Sequence, residues 1–267
     1  MEFGAVFPHN EIGTDPASIK EYAQGVEALG ATHLLIYDHV MGADPNRPGG
    51  WKGAYDKDVA FHEPLTTFAF LAAVTERLDL VTTILILPQR QTVLAAKQAA
   101  EVALLSNNRL RLGIGTGWNR IEYEALNVDF SHRGERQEEQ VDLLRRLWTE
   151  DSLTYEGKYH TVDAASINPR PSKPIPIWFG GSAPALLRRC ARLGDGWIPL
   201  MGANDAVIAG LTSEQRELTE HIIDYMNPVS LRAAGVTFDN KAMLPGERIA
   251  VIRAPTLILH ATDDTLQ

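Results

Sequence analysis

The sequence predicts an α/β fold of the barrel type, and three observations predict it. Over the first 200 residues short apolar runs alternate with amphipathic helical stretches, the pattern of βα units and a parallel sheet or barrel. The chain has 267 residues and 45% apolar side chains, which suits one α/β barrel of about 250 residues. Polar or glycine-rich residues stand just after nearly every apolar run, where the active-site loops of such barrels lie.

The elements follow in order. Phe3–Phe7 reads as a short strand ended by Pro8. Asp15-Pro16 reads as an N-cap followed by proline at the first helical position. Ile19, Tyr22, Ala23, Val26 and Leu29 then recur at helical spacing until Gly30. His33–Tyr37 is the second strand. Met41–His62 holds Pro45, Pro48, Gly49, Gly50 and Gly53, so it reads as a long loop. Pro64–Arg77 is predicted helical, and Leu78–Leu87 is an apolar, β-branched run suited to a strand buried on both faces. Thr92–Leu105 is an alanine-rich helix. Arg109–Gly115 is a strand leading into Gly115-Thr116-Gly117-Trp118. Gly134–Trp148 is an amphipathic helix with Ser131 as a candidate cap. Leu153–Val162 reads as a hairpin around Glu156-Gly157. Ile175–Phe179 is the next strand, a helix opens after Gly180-Gly181-Ser182, and Gly194–Leu200 is a short strand. Six barrel strands therefore precede residue 201.

Composition removes several classes of function. The net charge is −9 and no Lys/Arg cluster is present, which argues against a nucleic-acid partner. A single cysteine, Cys190, excludes an internal disulfide framework and a zinc ribbon. No apolar stretch reaches the roughly 18 residues of a membrane span, and no basic-then-apolar leader opens the chain. The expectation is a cytoplasmic protein acting on a small-molecule substrate, with its oligomeric state open.

The candidate chemistry lies at the strand ends. Asn10 and Glu11 follow the first strand, Asp38 and His39 the second, and Gln89 and Arg90 the third. His39 is a candidate general acid/base or donor to a ligand ring; the alternative is a loop-packing histidine. Asp38 projects to the other side if strand geometry persists, so the two need not act together. His62 reads as a packing residue. Gly113-Ile114-Gly115-Thr116-Gly117 has the wrong spacing for a dinucleotide fingerprint. It would still let a flat ring approach the backbone, unless it is only a tight turn. Gly180-Gly181-Ser182 before a helix is a candidate phosphate site, with an ordinary helix cap as the alternative. Arg188 and Arg189 lie too far into that helix to serve it. No metal-ligand spacing stands out, and Cys190, among Leu186, Leu187 and Leu193, reads as a buried apolar residue.

Taken in order, Phe3-Gly4-Ala5-Val6-Phe7-Pro8, Tyr37-Asp38-His39-Val40, Leu112–Asn119, Tyr155–Tyr159, Pro169-Arg170-Pro171, Ile177–Gly181 and Gly194–Trp197 resemble the bacterial luciferase-like flavin or deazaflavin oxidoreductases. The resemblance covers residues 1 to about 202 and is nearest the coenzyme F420-dependent subgroup. It implies a (β/α)8 barrel binding FMN or coenzyme F420 at the strand C-terminal ends. By this resemblance His39 is catalytic, near the reactive face of the ring. Thr83 and Ile84 occupy a third-strand bulge that in many relatives carries a non-proline cis peptide. Thr116 and Gly117 line the polar edge, and Gly180, Gly181 and Ser182 take the phosphate. Asp38 and Gly196 are assigned to the same cofactor pocket. Some deazaflavin dehydrogenases carry Glu directly after Gly-Thr-Gly; Trp118 stands there in this chain, which argues against a sugar-phosphate substrate. Glu122 is the nearest carboxylate, and the sequence does not place it.

From about residue 203 to 267 the chain resembles part of an α/β-hydrolase instead. The pieces are Met226–Ser230, Gly235–Asn240 and Ala254–Asp264. The strand Thr256–His260 would lead to a triad acid at Asp264. No G-x-S-x-G nucleophile elbow and no later histidine accompany it, so serine hydrolysis is not expected. The sequence therefore reads as a barrel with six of its eight strands joined to a hydrolase-like segment. The alternative to an active oxidoreductase is a catalytically inactive fusion remnant or a binding module.

Overall fold

The computed structural model describes residues 4–199; the hydrolase-like segment expected over 203–267 lies outside the described residues. Within them, strands and helices alternate as the apolar pattern requires. The strands are β1 (Gly4–Val6), β2 (His33–Ile36), β3 (Asp79–Thr82), β4 (Leu85–Ile86), β5 (Leu110–Gly115), β8 (Ile177–Gly180) and β9 (Gly196–Ile198), with a hairpin of β6 (Leu153–Glu156) and β7 (Thr161–Ala165). The helices are α1 (Pro16–Ala28), α2 (Pro64–Val74), α3 (Thr92–Leu105), α4 (Arg120–Ala125), α5 (Arg133–Thr149) and α6 (Pro184–Leu193). The sheet runs β1-β2-β3-β5-β8-β9 with every neighbouring pair parallel. The strands of this sheet therefore deliver their C-terminal ends, and the residues that follow, to one side.

The predicted run Leu78–Leu87 is one strand in pattern but two in structure. β3 stops at Thr82, a cis peptide joins Thr83 to Ile84, and β4 resumes at Leu85 against the far end of β5. The run is buried on both faces, as its composition suggests. A single core holds the layers together: Phe7, Leu34, Ile36, Leu80, Leu112, Ile114 and Phe179 from the sheet meet α1, α2, α3 and α5. Alanines 95, 96, 99, 100 and 103 of α3 are buried; with no bulk beyond Cβ they let neighbouring elements approach closely, and Trp148 of α5 donates its indole N–H to the Ala96 carbonyl at 2.9 Å.

Capping decides where helices begin. Asp15 accepts the Ala17 N–H at 3.1 Å and Pro16 opens α1, as its sequence predicts. Glu63 caps α2 through the Thr66 N–H at 2.6 Å. At α5 the expected cap does not form. His132 is the N-cap residue, and Ser131 donates to Asp129 at 2.6 Å. The short turn-and-helix before it, α4, lacks the length for a periodic signal. The long loop between β2 and α2 closes on itself through an Ala43–Asp56 bridge. A Cβ at Gly42 would lie 1.9 Å from the Asp56 carbonyl oxygen, so that approach requires glycine.

The end of the sheet opposite the strand C-termini is tied by charge. Arg109 donates to the carbonyls of Ala72, Thr75, Leu78 and Ser106 and to the Thr75 hydroxyl. The Glu27 carboxylate accepts the N–H groups of Glu76, Arg77 and Leu78. These two side chains fix the entry into β3 and its register against β5.

His9, fully buried after β1, is committed at both ring nitrogens. Nδ1 accepts the His62 N–H at 2.9 Å, so the proton sits on Nε2, 3.0 Å from the Tyr37 carbonyl. Burial and the nearby His62 lower its pKa from 6.5 to about 4. An unfolded chain would bind the proton below pH 6.5 while the folded one resists until about 4. Stability from this group is therefore full above pH 6.5 and falls as pH drops toward 4, by about 3 kcal/mol. Urea unfolding of the full chain at pH 7.0 and 4.5 should show this loss, and His9→Gln should flatten it.

Candidate active site

The site is built where β2, the β3–β4 break, β5 and β8 end. Asp38 and His39 follow β2 and, as alternation predicts, turn to different partners. Asp38 is buried, and its Oδ2 accepts the Ile86 N–H at 3.0 Å while Oδ1 accepts Arg90 Nη2 at 2.9 Å. Burial pushes its carboxyl up, against the pull of Arg90. Arg90 also reaches Glu63 at 2.7 Å, so one guanidinium is held between two carboxylates. Both oxygens of Asp38 are thus occupied by protein groups that fix the turn after β4.

His39 faces Glu122, the carboxylate that sequence reasoning left unplaced. Its Nδ1 lies 2.9 Å from Glu122 Oε1. The same oxygen accepts the Val40 N–H at 3.1 Å, and Oε2 accepts Gln89 Nε2 at 2.9 Å. Glu122 is fully buried. Burial alone would raise its pKa, but hydrogen bonds from His39 and Gln89 and a backbone bond to Met41 outweigh it and hold the carboxyl below its ordinary range. A carboxylate only accepts, so His39 Nδ1 donates to Glu122 and Nε2 is the ring nitrogen left to face a ligand. A signal for Glu122 did exist: Asn119 and Glu122 have capping-box spacing. Asn119 does cap α4 through the Ile121 N–H, but Glu122 turns to His39 instead of back to the cap.

Thr83 and Ile84 are half-buried at the mouth. The Ile84 side chain explains two of the glycines. A Cβ at Gly115 would lie 2.4 Å from Ile84 Cδ1, and one at Gly180 2.1 Å from Ile84 Cγ2. Thr116 and Gly117, also half-buried, continue from β5, and Tyr123 donates its hydroxyl to the Thr116 carbonyl. Gly196 serves packing: a Cβ there would meet the Trp178 indole at 2.7 Å, and its carbonyl accepts the Cys190 thiol. Cys190 is buried, its pKa pushed up to about 11 by burial, as expected of a structural thiol.

At the end of β8, α6 starts from Ala183, and no side chain caps it. Ser182 is therefore free of the ordinary capping role, and Gly181 stands at φ +127°. Uncapped N–H groups at a helix start, next to a glycine turn, fit an anionic group. Arg189 pairs with Glu138 at 3.0 Å instead. The half-buried Thr83, Ile84, Thr116 and Gly117 at the mouth and the uncapped start of α6 are the described groups that could hold a flat ring and a phosphate. Among the described residues no group of three or more His, Cys, Asp or Glu side chains could hold a metal ion, and no helix is long and apolar enough to cross a membrane.

Gly180→Ala should drive its methyl group into Ile84 and cost about 1–3 kcal/mol in chemical unfolding. Ile84→Ala in the same chain should recover most of that loss, because the slot is then empty.

With this geometry in place, comparison with known proteins is direct. The luciferase-like monooxygenase family model matches residues 1–238. An uncharacterised protein of Mycobacterium tuberculosis is 36% identical over 198 residues, 72% of this chain and 68% of its own length. The F420-dependent glucose-6-phosphate dehydrogenase of Amycolatopsis mediterranei is 30% identical over 70% of this chain, which spans only 54% of that enzyme. The fold is similar to that of the FMN-bound oxygenating component of 3,6-diketocamphane monooxygenase from Pseudomonas putida, with a TM-score of 0.63 at 16% identity over 81% of this chain and 62% of that one. Relatives of this chain are thus F420-dependent, and a protein of the same fold holds FMN. A parallel α/β sheet with these strand-end motifs and a family match over most of its length place the chain in the luciferase-like monooxygenase family.

Proposed function

We propose that this protein is an oxidoreductase that uses FMN or coenzyme F420 to act on a small organic substrate. The observation that carries the proposal is the His39–Glu122 pair at the mouth of the strand ends, because a buried carboxylate engages Nδ1 and leaves Nε2 as the imidazole nitrogen for a ligand. When bound, either coenzyme supplies a ring that carries hydride equivalents. In this reading Thr83, Ile84, Thr116 and Gly117 support the ring, and Gly180, Gly181 and Ser182 hold the phosphate with the start of α6. Asp38 acts from behind, through Ile86 and Arg90, by fixing the backbone that follows the Thr83–Ile84 peptide. Gly196 gives room to Trp178 at the neighbouring strand.

His39 Nε2 takes or returns the proton that accompanies reduction or oxidation of the substrate. The Glu122 carboxylate holds the ring in place and stabilises the imidazolium formed on protonation. The charge of Glu122 matters more than its shape, since Gln in its place would offer an amide that no longer stabilises that cation.

Titration of the full chain with FMN and with oxidised F420, followed by fluorescence, should give saturable binding to one of them. No binding to either would overturn the proposal. Once a substrate is in hand, Glu122→Gln should lower kcat by roughly 10–100-fold and shift the pH profile, with the coenzyme Kd little changed.

A further inference from the structure

Resting on that oxidoreductase reading, we infer that the aromatic wall beside His39 is the substrate subsite, and that it takes an uncharged, flat, apolar molecule of the aromatic or quinoid kind rather than a phosphorylated sugar. Rings from two distant parts of the chain converge on one histidine. Tyr55 and Phe61, from the long loop after β2, approach the His39 imidazole with centroids at 5.2 and 4.8 Å. Trp118, directly after the Gly115-Thr116-Gly117 turn, approaches it at 5.7 Å. Trp51 stacks on Trp118 at 5.9 Å with 23° between the planes. The loop is pinned in this position by the Trp51 indole N–H donating to the Tyr55 carbonyl at 2.6 Å and by Lys57 N–H donating to Ala43 at 3.0 Å.

Rings packed only on one another would be a satellite core, and this wall is not closed in that way. Trp118 is 46% exposed, and Val40 and Met41, next to His39 in the chain, are 46% and 43% exposed. Large apolar side chains left in water around one polar group at a mouth are the usual lining of a small-molecule site, where apolar walls hold the ligand and a few polar atoms orient it. The indole face favours a flat partner. Charge points the same way. Behind the wall lies the ionised Glu122 carboxylate. Arg90 is held by Asp38 and Glu63, and Arg120 lies over the Phe130 ring at 4.6 Å. A phosphate brought to His39 would therefore meet the Glu122 carboxylate, and the nearby Arg90 guanidinium is already held by two carboxylates. This sets the chain apart from relatives named for glucose 6-phosphate.

The test is equilibrium dialysis of the coenzyme-free full chain against menadione, a neutral flat probe, and against glucose 6-phosphate. Menadione should bind saturably, and Trp118→Ala and Trp51→Ala should each weaken it about tenfold. Trp118→Phe should stay close to the parent, and glucose 6-phosphate should not bind at millimolar concentration. Equal menadione affinity in the Trp51→Ala/Trp118→Ala double variant, or tighter binding of the sugar phosphate, would overturn the inference. Circular dichroism of each variant separates lost binding from lost folding. Because no coenzyme is present, a negative FMN and F420 titration would sink the coenzyme reading alone and leave this result to decide the subsite.

Discussion

One buried carboxylate organises the mouth of this sheet. Glu122 has no access to solvent, so every hydrogen bond it needs must come from protein, and it draws them from the segment after β2 and from the turn after β4. A buried charge without those donors would cost several kcal/mol. Satisfying it therefore fixes where His39, Val40 and Gln89 sit relative to α4. The chemistry available to His39 follows from that arrangement, since an acceptor-only partner at Nδ1 dictates which nitrogen is left for a substrate.

The two ends of the sheet use charge differently. At the strand N-terminal end, Arg109 and Glu27 spend their donors and acceptors on backbone groups, which sets register and closes helix ends. At the strand C-terminal end, Asp38–Arg90–Glu63 and His39–Glu122 join side chain to side chain. Backbone ties hold the fold. Side-chain ties hold these groups at fixed angles, and they place carboxyl groups close behind a surface otherwise made of Ile84, Trp118, Tyr55 and Phe61.

Glycine positions show how closely fold and site are coupled. The room at Gly115 and Gly180 is taken by Ile84, whose own backbone follows the cis peptide between β3 and β4. Three adjacent strands thus depend on one side chain at the mouth. The strand-end glycines that resemble a ligand-binding signature are, in this respect, packing positions first. At Gly115 and Gly180 the missing Cβ leaves room for the Ile84 side chain.

Much of the fold is legible in the linear sequence because its cause is local. Strand and helix alternation, the Asp15-Pro16 start, the extent of α3 and the hairpin around Gly157 all follow from periodicity and capping within a few residues of each element. His39 and the Gly180-Gly181-Ser182 turn were legible from their position after strands. The partners of those residues were not. Glu122 lies 83 residues from His39 in the chain, Arg90 lies 52 from Asp38, and Trp51 meets Trp118 only because a long loop folds back over the mouth. Local preference cannot report such pairs, since nothing at either end of a pair encodes the other. Burial decided the charged pairs: once the sheet excluded water, Asp38 and Glu122 were stable only where a partner from a distant element came within reach.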